Sequence, residues 1–367
     1  MNILLHIARL GTGGAERQLC YLAEGLAKRG HQVHVVTLYS GGLFWERLAQ
    51  NRHIRLYSQV RKNRWDFAVI HSLWCYCKKH EIQIILSFLP VSSVIAALPA
   101  RLLGIPWITG IRASNMRFPV GARLYLWAER LLSNRLASAC VANSHAGAEF
   151  HKQLGYKKNL LIIPNGLPVP ETKFPPPLHA TPARVGYIGR LHPMKDIPTL
   201  LEALAQTPAR VPLRLLIYGA GDTRYSARLQ ESARALKIRV HWRGETQNVW
   251  PVLQTLDIVI SSSCYGEGMS NTIMEAMLAG RIVIASDVGD ARRMLTADDG
   301  QMAGWIVPPS EPEALAKAVT EALAHPEKSR VMAKRAQTIA RARYCCETMI
   351  ERYQALFYNT VNQKPYA

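Results

Sequence analysis

Two carboxylates lie eight residues apart in the run Glu267-Gly-Met-Ser-Asn-Thr-Ile-Met-Glu275, a short loop downstream of the β-rich stretch Ile258–Ser261. An apolar helical pattern begins at Asn271, so Glu267 falls in a loop at the carboxyl end of a strand and Ser270 is placed to cap the helix that follows. Gly268 lets backbone approach a ligand closely, with Met269 and Ser270 completing the turn. The unsatisfied amides and dipole of such a helix start attract an anion, and phosphate is the anion they suit. Glu275 sits in the second turn, where a carboxylate beside a phosphate site suits the paired hydroxyls of a ribose. Glu267 is then left for a second sugar. Upstream, Gly189-Arg190-Leu-His-Pro-Met-Lys195-Asp196 ends another strand with two fixed cations ahead of a helix near Pro198. Arginine contacts phosphate as a fork and lysine as a point charge, so the two together can neutralise a diphosphate leaving group. A Glu-x7-Glu spacing alone is cheap, and a helix carboxylate plus a loop charge would account for it; its place after a strand is what adds weight.

The elements that must position these residues alternate along the chain. Ile3 to Ala8 reads as a strand, Gly11, Gly13 and Gly14 as a glycine-rich turn, and Ala15 to Arg29 as a helix with Leu19, Leu22, Ala23 and Leu26 at helical spacing. Continuous β-rich runs at Val33 to Leu38, Ile84 to Phe88, Trp107 to Ile111 and Ala139 to Asn143 suit strands buried on both faces of a parallel sheet. Four prolines between Lys173 and Pro182 favour extended backbone and predict the interdomain linker. Strands at 185–189, 213–218, 239–242, 258–261 and 282–285 then alternate with helices at 198–206, 225–236 and 271–279. The pattern is α/β, with two doubly wound parallel sheets whose carboxyl ends face a shared cleft, the place where open sheets bind ligands. From Pro312 onward the chain reads as helical, and Tyr353, Leu356 and Phe357 make an apolar stripe.

Gly13-Gly14-Ala15-Glu16-Arg17, Asn143-Ser144, Pro164-Asn165-Gly166, Gly189-Arg190 with Lys195, and Glu267 with Glu275 form a set whose order and spacing resembles the retaining GT-B glycosyltransferases of family 4, also called group 1. The resemblance covers nearly the whole chain. It implies a Rossmann-like acceptor domain at 1–172, a Rossmann-like nucleotide-sugar domain at 183–340, and a last helix within 341–367 that crosses back to the first domain. It further implies that Arg190 and Lys195 hold the diphosphate, Glu275 the ribose and Glu267 the transferred sugar. Gly268, Met269 and Ser270 would line the donor, and Gly13 and Gly14 would approach its phosphates across the cleft. The favoured donor is a UDP-sugar, and the acceptor a lipid-linked glycan of bacterial lipopolysaccharide, O-antigen or exopolysaccharide assembly. Neither cofactor nor metal is expected: no Asp-x-Asp element occurs, and Asp298-Asp299 is an adjacent pair in a turn. One stretch departs from the family. Where many relatives carry His or Asp on the acceptor side, this chain reads Trp107-Ile-Thr-Gly-Ile-Arg112-Ala-Ser114-Asn115, so Arg112, Ser114 or Asn115 is expected to orient donor or acceptor without acting as a base.

Net charge is +19, and residues 1–170 carry 21 Lys and Arg against 7 Asp and Glu, the remainder 24 against 19. A basic half-molecule attracts nucleic acid or an anionic membrane alike. No groove-reading or base-stacking motif accompanies the charge, so nucleic acid is not the expected partner; an inactive scaffold is disfavoured because the donor-side residues are all present. Arg117, Arg123, Arg130 and Arg135 surround Leu124-Tyr125-Leu126-Trp127, a pattern that resembles an interfacial helix, although Trp127 and Leu131 could equally pack into the core. The charge-free run Ile82 to Ala100 has 19 residues, close to a membrane span, yet its prolines and serines parse as strand, turn and helix. With no secretory leader before Ile3 and seven cysteines lacking zinc-site spacing, a reduced cytoplasmic protein, peripheral on the inner face of the membrane, is expected. His6, His71, His145 and His192 are assigned no catalytic role.

Overall fold

The computed structural model describes residues 1–63, 66–112, 120–158, 160–178, 181–208 and 212–362. The chain forms two compact units, Met1–Leu167 joined by the segment from Cys345 onward, and Pro168–Tyr344.

The first unit runs β1 (Asn2–Ile7), α1 (Gly14–Lys28), β2 (Gln32–Thr37), α2 (Leu43–Ala49), β3 (Ile54–Ser58), α3 (Ala68–Lys79), β4 (Ile84–Phe88), α4 (Pro90–Leu103), β5 (Trp107–Ile111), α5 (Val120–Leu136), β6 (Ala139–Ala142), α6 (His145–Gln153) and β7 (Leu160–Ile162). Its seven strands are parallel in the order β3-β2-β1-β4-β5-β6-β7, so chain order reverses between β1 and β4. Side chains alternate across the sheet. Ile3, Leu5 and Ile7 of β1 join Leu19, Leu22 and Leu26 of α1 in one core, while Leu4 points into a second core with Leu73 of α3 and Ile95 and Ala96 of α4. Covering both faces is what buries β4 and β5 along their whole length. The charge-free run resolves into β4 and α4, and among the described residues no helix is long and apolar enough to cross a membrane.

The second unit runs β8 (Ala183–Ile188), a single 3₁₀ turn (Pro193–Lys195), α7 (Ile197–Gln206), β9 (Leu213–Tyr218), α8 (Thr223–Ala235), β10 (Val240–Gly244), α9 (Val249–Thr255), β11 (Ile258–Ser261), α10 (Asn271–Leu278), β12 (Ile282–Ser286), α11 (Ala291–Met294), β13 (Trp305–Val307), α12 (Pro312–Ala324) and α13 (Pro326–Arg343). Its six parallel strands lie in the order β10-β9-β8-β11-β12-β13. The proline-rich stretch differs from the linker expected of it, because it is bound down on this unit. The buried Arg281 guanidinium donates to the carbonyls of Leu256 at 2.8 Å and Ala279 at 3.0 Å and also to that of Pro175. Arg330 donates to the carbonyl of Pro177, and the Asp257 carboxylate accepts from the Leu178 amide at 2.8 Å. A buried guanidinium must find acceptors, and the carbonyl-rich extended segment supplies them. The chain therefore passes between units at Leu167 and again at Tyr344, outside the proline cluster.

After α13 the chain re-enters the first unit as α14 (Cys346–Asn362). Tyr353 and Phe357 are fully buried in the first core and Leu356 packs against it, which is the purpose of the apolar stripe. Burying each ring contributes roughly 1.5–3 kcal/mol. Gly25 of α1 makes room: a Cβ there would lie 2.0 Å from Cδ1 of Ile350. Re-entry is pinned beside the exit, since the Cys346 amide donates to the Leu167 carbonyl at 2.9 Å.

His6 on β1 is buried with Nδ1 3.0 Å from the Ser92 carbonyl, and burial lowers its pKa to about 4; His34 is lowered to about 4 for the same reason. Both act as structural groups. The unfolded chain takes up their protons near pH 6.5 and the folded chain only near 4, so stability present at neutral pH is lost as pH falls through this window. For His6 alone the loss between pH 7 and pH 5 is about 2 kcal/mol. Urea unfolding at the two pH values should show it, with a shallower dependence in His6→Gln.

Candidate functional site

The loops after β8, β9 and β10 are stacked backbone on backbone at the carboxyl end of the second sheet. The Leu191 amide donates to the Ala220 carbonyl at 2.9 Å, and the Gly219 amide to that of Gly244 at 2.7 Å. A Cβ on Gly219 would fall 1.8 Å from the Gly189 carbonyl oxygen, so glycine is required there. Tyr187, buried near the end of β8, donates its hydroxyl to the Arg190 carbonyl at 2.8 Å. Burial and the nearby Glu267 charge push the Tyr187 pKa up, which keeps that hydroxyl protonated as a donor. The peptide of Arg190 is thereby held while its side chain is exposed.

Lys195 ends the 3₁₀ turn that follows. His192 opens this turn by accepting the Met194 amide on Nδ1 at 3.2 Å. The Ser262 hydroxyl donates to the Lys195 carbonyl at 2.8 Å, and the Cys264 amide to that of Met194 at 2.9 Å. Asp196, in the left-handed region at φ 47°, accepts from Thr199 at 2.8 Å and Ser310 at 2.7 Å. With its backbone held on both sides, Lys195 directs its ammonium onto Oε1 of Glu267, which also accepts from the Ser263 hydroxyl at 3.1 Å. The lysine and glutamate side chains are only 17% and 14% exposed. Such a pair is screened less than one on the open surface.

Glu267 is seated from behind. The Asp290 amide donates to the Gly268 carbonyl at 3.0 Å. Gly289, at φ +63°, is packed so closely that a Cβ would lie 2.5 Å from the Glu267 carbonyl oxygen and 2.6 Å from that of Gly268. Beyond the loop, Ser270 caps α10 by accepting the Ile273 amide at 3.4 Å, and Thr272 donates to the Ile188 carbonyl at 3.0 Å, fastening the first turn of α10 to β8. Met269 and Ser270 are buried, and Glu275 in the second turn is only 3% exposed. The second unit thus gathers a lysine–glutamate pair, a serine-capped helix start and a buried carboxylate at one sheet end. This set can oppose an anion with its cation and helix amides and accept hydroxyl protons with its carboxylates. Ser262, Ser263, Tyr187 and Gly289 were not picked out by sequence. The serine run after β11 was the available signal; Gly289 acts through a long-range contact that leaves none.

The first unit holds the remaining sequence candidates, and several of them serve the fold. Arg112, at the end of β5, donates to Oδ1 of Asn165 at 2.9 Å and to the Tyr353 hydroxyl at 2.7 Å, and its guanidinium stands 3.8 Å over the Phe88 ring. It ties β4 and β5 to α14; burial lowers its pKa. Ser114 and Asn115 lie outside the described residues. Ser144 caps α6, accepting from the Gly147 amide at 3.0 Å. Gly13 and Gly14 are exposed at the start of α1, and the Glu16 carboxylate folds back over Gly13, where a Cβ would be 2.2 Å from Oε2. In the second unit, Trp242 packs against the core, and Trp250 meets Phe174 at 6.3 Å between ring centroids. Among the described residues, no three His, Cys, Asp or Glu side chains come together as metal ligands.

The model of glycosyl transferases group 1 matches residues 169–339, and that of glycosyltransferase family 4 matches residues 12–169. A phosphatidyl-myo-inositol mannosyltransferase of Mycobacterium tuberculosis is 31% identical over 168 residues, 44% of this chain and 43% of that protein. The match thus spans less than half the length of that relative. A Campylobacter jejuni transferase, named as an alpha-1,4-N-acetyl-D-galactosaminyltransferase acting on a diphosphate-linked undecaprenol glycan, is 25% identical over 83% of this chain and 85% of its own. Among solved structures, Anabaena HepE in complex with UDP superposes with a TM-score of 0.83 at 22% identity, covering 98% of this chain and 100% of that one. At this identity the structural likeness speaks to the GT-B fold.

Gly289→Ala is expected to destabilise the second unit by about 1–3 kcal/mol, since neither carbonyl it meets can retreat as a flexible side chain would. Denaturant unfolding reads this, and faster proteolytic nicking within 262–270 should accompany it.

Proposed function

The chain belongs to the family 4, group 1 glycosyltransferases, and from that premise we propose that it moves a hexosyl or N-acetylhexosaminyl group from a UDP-sugar to a lipid-linked glycan, with retention and without a metal ion. The observation that carries this reading is the Lys195–Glu267 pair at the carboxyl end of the second sheet. An arriving diphosphate competes for the Lys195 ammonium and releases Glu267 oxygens to accept hydroxyls of the transferred sugar. Arg190 adds a forked contact to the phosphates, the amides at the start of α10 face the same charge, and Glu275 takes the ribose hydroxyls.

In the reaction the bond from the anomeric carbon to the diphosphate oxygen breaks, and a bond from that carbon to the acceptor oxygen forms on the same face of the sugar. The acceptor proton passes to the departing diphosphate, so no protein base is required. The two cations stabilise the charge that develops on the leaving group. Support for the donor comes from the likeness to HepE, solved with UDP, and for the acceptor from the Campylobacter relative. A role in lipopolysaccharide, O-antigen or exopolysaccharide assembly at the cytoplasmic face of the membrane follows from that acceptor class.

Binding and slow hydrolysis of UDP-, GDP- and ADP-sugars in excess EDTA test the proposal. Wild type should bind UDP-sugars selectively, Glu275→Ala should lose that binding, and Lys195→Ala should lose on the order of 100-fold or more in turnover. Wild type that binds no nucleotide sugar would overturn the donor site, activity abolished by EDTA would overturn metal independence, and an inverted anomeric product would overturn retention.

A further inference from the structure

We propose that the outward faces of α4 and α5 form one docking surface for an anionic lipid bilayer. The exposed apolar side chains are Leu98 and Leu102 on α4, 48% and 65% exposed, and Leu124, Trp127 and Leu131 on α5, at 58%, 52% and 38%. Their spacings, four residues on α4 and three then four on α5, put each set on a single stripe. Sequence left open whether Trp127 and Leu131 enter the core; the structure turns both outward and adds α4, which sequence did not implicate.

The two helices lie side by side in the layer that covers one face of the first sheet, so stripes that point away from the sheet look out over the same surface. Both are fixed from within. Ile95, Ala96, Ala97 and Ala100 anchor α4 in the core, and Leu126, Leu132 and Leu136 pack α5 against it. The buried Glu129 accepts from Thr109 and from Tyr156, each at 2.9 Å, so α5 is not free to roll its leucines inward.

Charge selects the occupant. Arg101 stands exposed beside Leu102, and Arg123 and Arg135 are exposed on α5. Helix α4 contains no carboxylate, and the single one on α5, Glu129, is buried. An apolar stripe flanked by cations, with no exposed carboxylate on either helix, matches a bilayer whose phosphates meet the arginines while the leucines and Trp127 enter the headgroup boundary. A second copy of this chain fits less well, since a two-fold contact would set the same cations against each other. Nucleic acid offers the charge but nothing for the apolar centre.

This inference deepens the lipid-linked acceptor reading, yet its test requires neither donor nor acceptor. The full chain is sedimented with vesicles of phosphatidylglycerol and phosphatidylcholine, or of phosphatidylcholine alone, at 0.1 M salt, where the Debye length is about 10 Å. Binding to the anionic vesicles is expected, with little to the neutral ones. Leu102→Glu combined with Trp127→Glu should weaken it about tenfold or more, and Arg101→Glu with Arg123→Glu should remove the preference for anionic lipid. These positions are exposed, so an unchanged melting temperature confirms that each variant folds. No binding by wild type, or equal binding by the Leu102 and Trp127 variant, overturns the proposal. So does a wild-type dimer that the same variant dissociates, which would assign the face to a second copy. Vesicle binding without nucleotide-sugar binding keeps the docking surface and removes the transferase reading instead.

Discussion

A parallel strand can be followed by another only after the chain has travelled back over a face of the sheet. In both units that return is made by helices, and once both faces are covered the central strands, such as β4, β5 and β12, are buried on two sides. The cost is that all the strand ends of one polarity, with their loops, gather along one edge, and the benefit is that chemistry placed in those loops is concentrated there. In the second unit this edge is crowded enough that backbone touches backbone, at Gly189 against Gly219 and at Gly289 against Glu267. Lys195 and Glu267, 72 residues apart in the chain, meet because β8 and β11 are neighbours in the sheet. The ion pair is thus a product of strand order.

Electrostatics within the first unit follow a different logic. Its surplus of cations is partly absorbed by internal use: Arg112 joins Asn165 and Tyr353, Arg47 meets Glu24 at 2.7 Å, and Arg29 meets Glu351 at 3.3 Å. What is left over is unevenly placed, because α3, α4 and α5 carry six lysines and arginines and the buried Glu129 alone among carboxylates. A net charge read from composition says nothing of this sorting.

How much was legible in sequence depended on the range of the interaction. Strands such as 107–111 and 258–261 were readable to the residue, since a run buried on both faces is bounded by its own loops. The three-residue β7 and β13 were not, being too short to show a period. Glu267, Ser270 and Lys195 could be found because a strand end, a cap and a cation each leave a local mark. Arg112 was placed at a strand end, but local pattern cannot reveal that Tyr353, 241 residues away, accepts from its guanidinium. The proline-rich segment misled for the same reason, as extended backbone was correctly read while the buried Arg281 that binds it could not be.

The adjacency of Leu167 and Cys345 makes the second unit an insertion within the first. During synthesis, then, the piece that begins later finishes sooner. Residues 168–344 emerge complete while the first core still lacks Tyr353 and Phe357, which arrive with the last helix. The nascent first unit must wait with the face that α14 covers unsealed, a state in which exposed apolar surface favours misassembly. A chain lacking α14 would carry a finished second unit attached to a first core without Tyr353 and Phe357.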